Sequence, residues 1–160
     1  MRTFAQDTTV SVAKTRGEIY GLLTEWGISN IGFLDHFDEG QAELQFVWRR
    51  DDVKYAARFM VKLPTDEQLK KRARHARTGA FSQSKYNALR EGRGRQEHRV
   101  LYLWIKAALN AVEAGIVSPE AIFLPFIVGK DGRTVAEHML PRMQELLSVD
   151  PTQLLITRGA

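Results

Sequence analysis

Hydrophobic spacing along the chain changes period several times. In "TTVSVAKT", Val10 and Val12 alternate with polar neighbours and predict a short first strand. Thr15 with Glu18 three residues later has the form of a capping box. Ile19, Leu22, Leu23 and Trp26 then fall on one face of a helix that Gly27 is placed to end. From Ile28 to Pro64 the period is two, in three stretches separated by Asp38-Glu39-Gly40 and Asp51-Asp52. That is the pattern of three antiparallel strands with tight turns. Ala42, Leu44, Phe46 and Trp48 share a face of one strand, and Val53, Tyr55, Ala57, Phe59, Val61 and Leu63 a face of the next.

Beyond Pro64 the spacing turns helical. "TDEQLKKRARHA" predicts a short helix capped by Thr65 or Asp66. "RTGAFSQSKYN" reads as a loop, and the two glycines of "EGRGRQ" weigh against helix there. A long helix is expected from near Arg95 to Glu113, stopped by Gly115. Its apolar residues, from Val100 and Leu101 through Trp104 and Ala108 to Val112, cover most of its circumference and make it the expected core helix. Ser118-Pro119 opens another helix, which Pro125 interrupts. Thr134 with Glu137 is a further capping box, before a last amphipathic helix through Val135, Met139, Met143, Leu146 and Leu147, kinked at Pro141.

The fold class is therefore α+β: an antiparallel sheet in β-α-β-β-β order, helices packed on one face, and a long central helix in the C-terminal half. Residues 1–148 are expected to form a single domain. Residues 149–160 form a C-terminal tail whose Leu154, Leu155 and Ile156 are its candidate anchors.

Composition narrows the function classes. Of 160 residues, 44% are apolar and 26% charged, the balance of an ordinary globular chain. The absence of cysteine excludes disulfides, thiolate metal sites and cysteine nucleophiles, and fits a reducing cytoplasm. "MRTFAQDTTVSVAKT" has no apolar core of a secretory signal. The longest apolar run holds Lys106, Asn110 and Glu113 and reads as a buried helix, not a membrane span. The expectation is a cytoplasmic protein.

Charge changes the picture most. Of the thirty residues from Lys70 to Arg99, ten are Lys or Arg, opposed only by Glu91 and Glu97, a net of +8. The whole chain carries +4, so the remainder carries −4. A mildly acidic body bears one basic segment. Lys70, Lys71, Arg72, Arg74 and Arg77 form its first cluster, with Lys85 between, and Arg90, Arg93, Arg95 and Arg99 its second. Cations in such density neutralise phosphates and release counterions. Tyr86 and Phe81 lie among them, as aromatics that stack on unpaired bases do. The bland alternative is a solvated loop. A second cationic signal is the sheet face opposite the apolar one, with Arg49, Lys54, Arg58 and Lys62 beside Gln45, interrupted by Glu43. Its bland reading is a charged face that resists edge pairing.

Other candidates are weaker. His36, His75, His98 and His138 have no metal-ligand spacing, and a metal site would need the fold to gather them with Asp35, Asp38 or Glu137. "DHFDEG" clusters carboxylates, but Asp38-Glu39-Gly40 is what a hairpin requires. "GKDGRT" lacks phosphate-loop spacing. Trp26, Trp48 and Trp104 fall on apolar stripes and read as core. No catalytic, metal or cofactor signature emerges.

One resemblance adds context. "FVWRRDDVKYAARFMVKLP", the Arg-rich entry into "IKAALNAVEAGI", the segment that follows and "DGRTV" are similar, in order and spacing over roughly Lys14 to Leu140, to a family of small proteins encoded by bacteriophages and prophages. The resemblance implies a mobile-element setting, in which DNA replication, recombination and inhibition of host defence are common tasks. It supplies no catalytic residues. The expected function is a non-enzymatic nucleic-acid-binding protein with single-stranded DNA as its preferred ligand. The alternative is a protein-interaction module that docks the same basic segment on an acidic host or phage protein.

Overall fold

The computed structural model describes residues 5, 8–36 and 38–143. Leu146, Leu147 and the tail at 149–160 lie outside them. The fold is α+β, with five α-helices and a three-stranded antiparallel sheet among the described residues.

Helix α1 spans Val12–Glu25. Val10 and Val12 therefore do not make a strand; Val12 is the first helical residue, and the sheet begins after α1. Ser11, rather than Thr15, is the cap, its hydroxyl accepting from the Lys14 amide at 3.2 Å. Thr15 is fully buried one turn in, and Glu18 is turned toward Arg99. Gly27 ends the helix as expected: at φ +76° its amide reaches Thr24, and the Ile28 amide reaches Leu23, two bonds that satisfy orphan carbonyls.

Strands β1 (Asn30–His36), β2 (Gln41–Arg50) and β3 (Val53–Lys62) form a meander in the order β1-β2-β3. Asp51 and Asp52 both take positive φ, the backbone of a two-residue hairpin turn whose twist matches the strands. Ala42, Leu44 and Phe46 of β2 and Ala57, Phe59 and Val61 of β3 are buried on one face. Ile19 and Leu23 of α1 meet them there, together with Leu101, Ile105, Ala108 and Leu109 of the long helix α3. Phe123, from the short helix α4 (Pro119–Phe123), inserts edge-on against Phe46 and Phe59. A 3-10 turn at Leu124–Phe126 follows, where Pro125 forbids continuation. Ile127 then bridges Ala57 and covers part of the outer edge of β3. Helix α5 (Val135–Met139) carries the Thr134–Glu137 capping box.

Helix α2 is Asp66–Arg72, with Thr65 and Gln68 forming a reciprocal capping box. Helix α3 corrects the sequence reading. It begins at Gln83, capped by Ser82, and runs 31 residues to Glu113, straight through Gly92 and Gly94. Packing outweighs propensity here. Gly94 faces Val12 of α1, and a Cβ there would lie 3.4 Å from it, in van der Waals contact. Ion pairs from Arg93 to Glu97 and from Arg95 to Glu91 staple the same turns. The apolar stripe is also narrower than expected. Leu101, Ile105, Ala108 and Leu109 are buried, whereas Trp104 is 38% exposed at the rim of the aromatic cluster with Phe59 and Phe126. Trp26 is equally exposed and is not core.

Candidate nucleic-acid interface

The structure separates the cations of the basic segment into two kinds. Arg93, Arg95 and Arg99 are held within the fold. Arg93 bonds Gln96 at 2.7 Å and Glu97 at 2.8 Å, and Arg95 bonds Glu91 at 2.9 Å. Arg99 pairs with Glu18 across the α1–α3 contact, its guanidinium 4.2 Å from the centre of the Tyr102 ring. Arg90 sits beside Asp66 and Tyr86, close enough to influence the titration of both. These residues read in sequence as one cationic track; in the fold most are scaffold.

The other kind lies at the corner where α2 turns into α3. Between Lys70 and Lys85 there are six cations and no carboxylate. Lys70 folds back on Asp66 at 2.5 Å, and each holds the other's charge: Asp66 is lowered, by Lys70 first and the Tyr86 hydroxyl second, and Lys70 is raised. Lys71, Arg72 and Arg77 are exposed and have no carboxylate partner among the described residues. Among the described residues Arg74 and Lys85 donate only to the carbonyls of Gly79 and Arg74, which leaves their charges without a carboxylate partner there. The corner is ordered: Arg74 bridges Phe81, and the His75 and Gly79 amides close the turn. Phe81 is 45% exposed in the midst of these cations, its ring 6.0 Å from that of Tyr86.

The cations on the outer face of the sheet are spaced apart. Arg58 is paired with Glu137 at 2.8 Å, and Arg49 lies 3.9 Å from Asp52. Lys54 sits opposite Arg49 at one end of the hairpin, and Lys62 lies at the other end. Between them the row Leu34–Glu43–Met60 crosses all three strands, two exposed apolar side chains around a carboxylate that His36 and Gln45 cover.

Behind the corner lies a cleft of about 640 Å3, between α2, the first turns of α3, α1 and the β1–β2 hairpin. Val12, Leu63, Pro64 and Leu69 give it apolar walls. Its charged lining is Asp35, Asp38, Asp66 and Glu91 against Arg16 and Arg90, an excess of carboxylate in the middle of the basic segment. One wall is tightly organised. Arg16 grips both oxygens of Asp35 and donates through Nε to His98 Nε2 at 3.1 Å. His98 is buried, with Nδ1 2.8 Å from the Gly94 carbonyl. A ring that donates to a carbonyl and accepts from a guanidinium is neutral. Burial pushes its pKa down, and Arg16 adds to that. The Arg16 bond holds the Asp35 carboxyl below its usual range. Tyr86, whose hydroxyl donates to Asp66, is raised by that carboxylate. Among the described residues no group of three or more His, Asp or Glu is placed to hold a metal ion.

Sequence reasoning did not find this wall. Arg16, Asp35 and His98 are brought together from α1, β1 and α3, across separations of 19 and 82 residues, and no local pattern announces such a contact. In the sequence Asp35 and Asp38 stand out only within the acidic run "DHFDEG", His98 only as an isolated histidine, and Asp66 only as a candidate helix cap. Comparison with known proteins adds nothing to the geometry: no family model, curated protein or solved structure matches the chain. No helix among the described residues is long and apolar enough to cross a membrane.

Proposed function

We propose that this protein is a non-enzymatic nucleic-acid-binding protein of phage or prophage origin, acting in the cytoplasm. It grips single-stranded DNA at the α2–α3 corner. The observation that carries this reading is the charge sorting. Lys71, Arg72, Arg74, Arg77 and Lys85 keep uncompensated positive charge on an ordered surface, while the cations further along α3 are spent on internal carboxylates. Uncompensated cations bind phosphates with counterion release. Phe81, exposed at their centre, supports a single strand over a duplex, because its ring face is available to an unstacked base. The interface is thus smaller than the full basic segment: Arg93, Arg95, Arg99 and the sheet residues Arg49 and Arg58 drop out of it, and Lys54 and Lys62 stand apart.

Fluorescence anisotropy with labelled dT15 tests the reading. Wild type binds, and replacing Lys71, Arg72, Arg74 and Arg77 by Ala weakens binding and lowers the salt slope by about 0.7 per lost contact. Phe81→Ala weakens single-strand binding by about 1–3 kcal/mol and duplex binding less. Absence of binding by wild type at low salt removes the reading and favours an acidic protein as the partner of the corner.

A further inference from the structure

The cleft behind the corner is a feature that phosphate binding leaves unused. Its 640 Å3 lies within the span of about 300–1,000 Å3 typical of small-molecule sites. Its character is opposite to that of the corner. Its lining is rich in carboxylate acceptors, which favours a neutral group rich in hydrogen-bond donors. Most of its carboxylates are already engaged: Asp35 by Arg16, Asp66 by Lys70 and Tyr86, and Glu91 by Arg95. Asp38, at the hairpin lip, has no hydrogen-bond or ion-pair partner among the described residues. The apolar walls suit a flat ring. Tyr86 belongs to both places, since it lines the cleft, follows Lys85 of the corner, and contacts Phe81.

We infer that the cleft seats one unstacked, amino-bearing base of a strand whose phosphates lie on the corner, guanine best, with Asp38 accepting hydrogen bonds from the base edge. The inference rests on the corner reading above and specifies what that site selects. Guanine presents N1–H and N2–H side by side, which one carboxylate accepts together. Cytosine and adenine offer a single amino group. Thymine sets two carbonyl oxygens against the carboxylate and is the base most disfavoured. The corner thus supplies affinity without sequence and the cleft supplies selectivity, the usual division between phosphate and base contacts.

The test compares labelled dT15 with the same strand carrying one central guanine, which cannot form a quadruplex by itself. Wild type is expected to bind the guanine strand about tenfold more tightly, within the range of one bidentate base contact. Asp38→Asn, which removes the second acceptor oxygen at an exposed position, is expected to lose that preference, to bind dT15 no more weakly than wild type, and to melt at the same temperature. Equal binding of both strands by wild type overturns the cleft inference and leaves the corner reading standing, as does an Asp38→Asn protein that retains the full preference. Failure of wild type to bind either strand overturns both. In that case Asp38-dependent binding of a labelled lysine-rich peptide assigns the cleft to the cationic side chain of a protein.

Discussion

Two sets of arginines and lysines, a few turns apart, do opposite work in this molecule. Apart from Lys70, those at the α2–α3 corner face solvent with no carboxylate beside them among the described residues, whereas Arg93, Arg95, Arg99 and, from α1, Arg16 are clamped by acids or rings. In the sequence the two sets look alike, and the acids that separate them are sparse or distant. Glu18 lies 81 residues from Arg99 and Asp35 lies on another element. Charge density along a chain therefore measures surface potential poorly. What matters is which cations the fold has already neutralised.

The contrast can be broken by mutation, and Arg16 is where it should break hardest. Arg16→Ala leaves Asp35 and the buried His98 without their partner, and should cost about 2–3 kcal/mol in urea unfolding. The corner quadruple variant should unfold within about 0.5 kcal/mol of wild type. Similar losses in both would mean that the two sets are not distinct.

Acid should act on the same wall. A group whose pKa is depressed in the folded state leaves the unfolded chain to take the proton first, so stability falls as pH falls. His98 therefore withdraws stability from about pH 6.5 downward, through its lowered folded pKa. Asp35 does so further down, from the ordinary carboxylate range toward its lowered folded pKa. Urea midpoints measured from pH 7 to pH 5 should fall for wild type and be flatter for His98→Gln. Superimposable profiles would remove His98 from the account.

Replacing Arg93, Arg95 and Arg99 together by Ala should cost about 1–2 kcal/mol, kept modest by solvent at the half-open Arg93–Glu97 pair. It should leave the salt slope of oligonucleotide binding unchanged, which the corner variant does not. A drop in slope for this triple variant would return these residues to the interface. The smallest effect concerns the helix that carries them. A methyl group at Gly92 would project into open space, so Gly92→Ala should stabilise the helix by about 0.5–1 kcal/mol. No gain in thermal stability would restore a break at "EGRGRQ".

Much of the fold is legible in the chain because its signals are local. The period-two stretches, Asp51-Asp52, the Thr65 and Thr134 caps, Ser118-Pro119 and Gly27 each act within a few residues of themselves. Sequence and structure part where distant packing decides. Val10 and Val12 alternate like a strand, yet Ser11 caps a helix there and Val12 packs toward Gly94. The glycines of α3 look like a break, yet the helix runs through both, with Gly94 facing α1. The candidate site is half visible. The corner cations stand out in the sequence, but Arg93, Arg95 and Arg99 cannot be told from them without Glu18, Glu91 and Glu97 in place. The cleft shows in the sequence only through Asp35 and Asp38 of "DHFDEG", because its other walls come from separate elements that only the fold brings together.

The order of the elements also sets a timetable for synthesis. The three strands pair only with their neighbours, so the sheet closes through two short hairpins. Its apolar face needs α3, and the α1–α3 contacts close a span of more than 80 residues, a slower and entropically dearer step. On the ribosome, the stretch from the end of β3 to the first buried leucine of α3 takes about 2–8 s to emerge, at about 5–20 residues per second. For those seconds Leu44, Phe46 and Phe59 wait for their cover, with only α1 available to shield them. The nascent N-terminal half is therefore the stage at which this protein is most open to chaperone capture. A chain arrested just after α2 is the species in which to look for it.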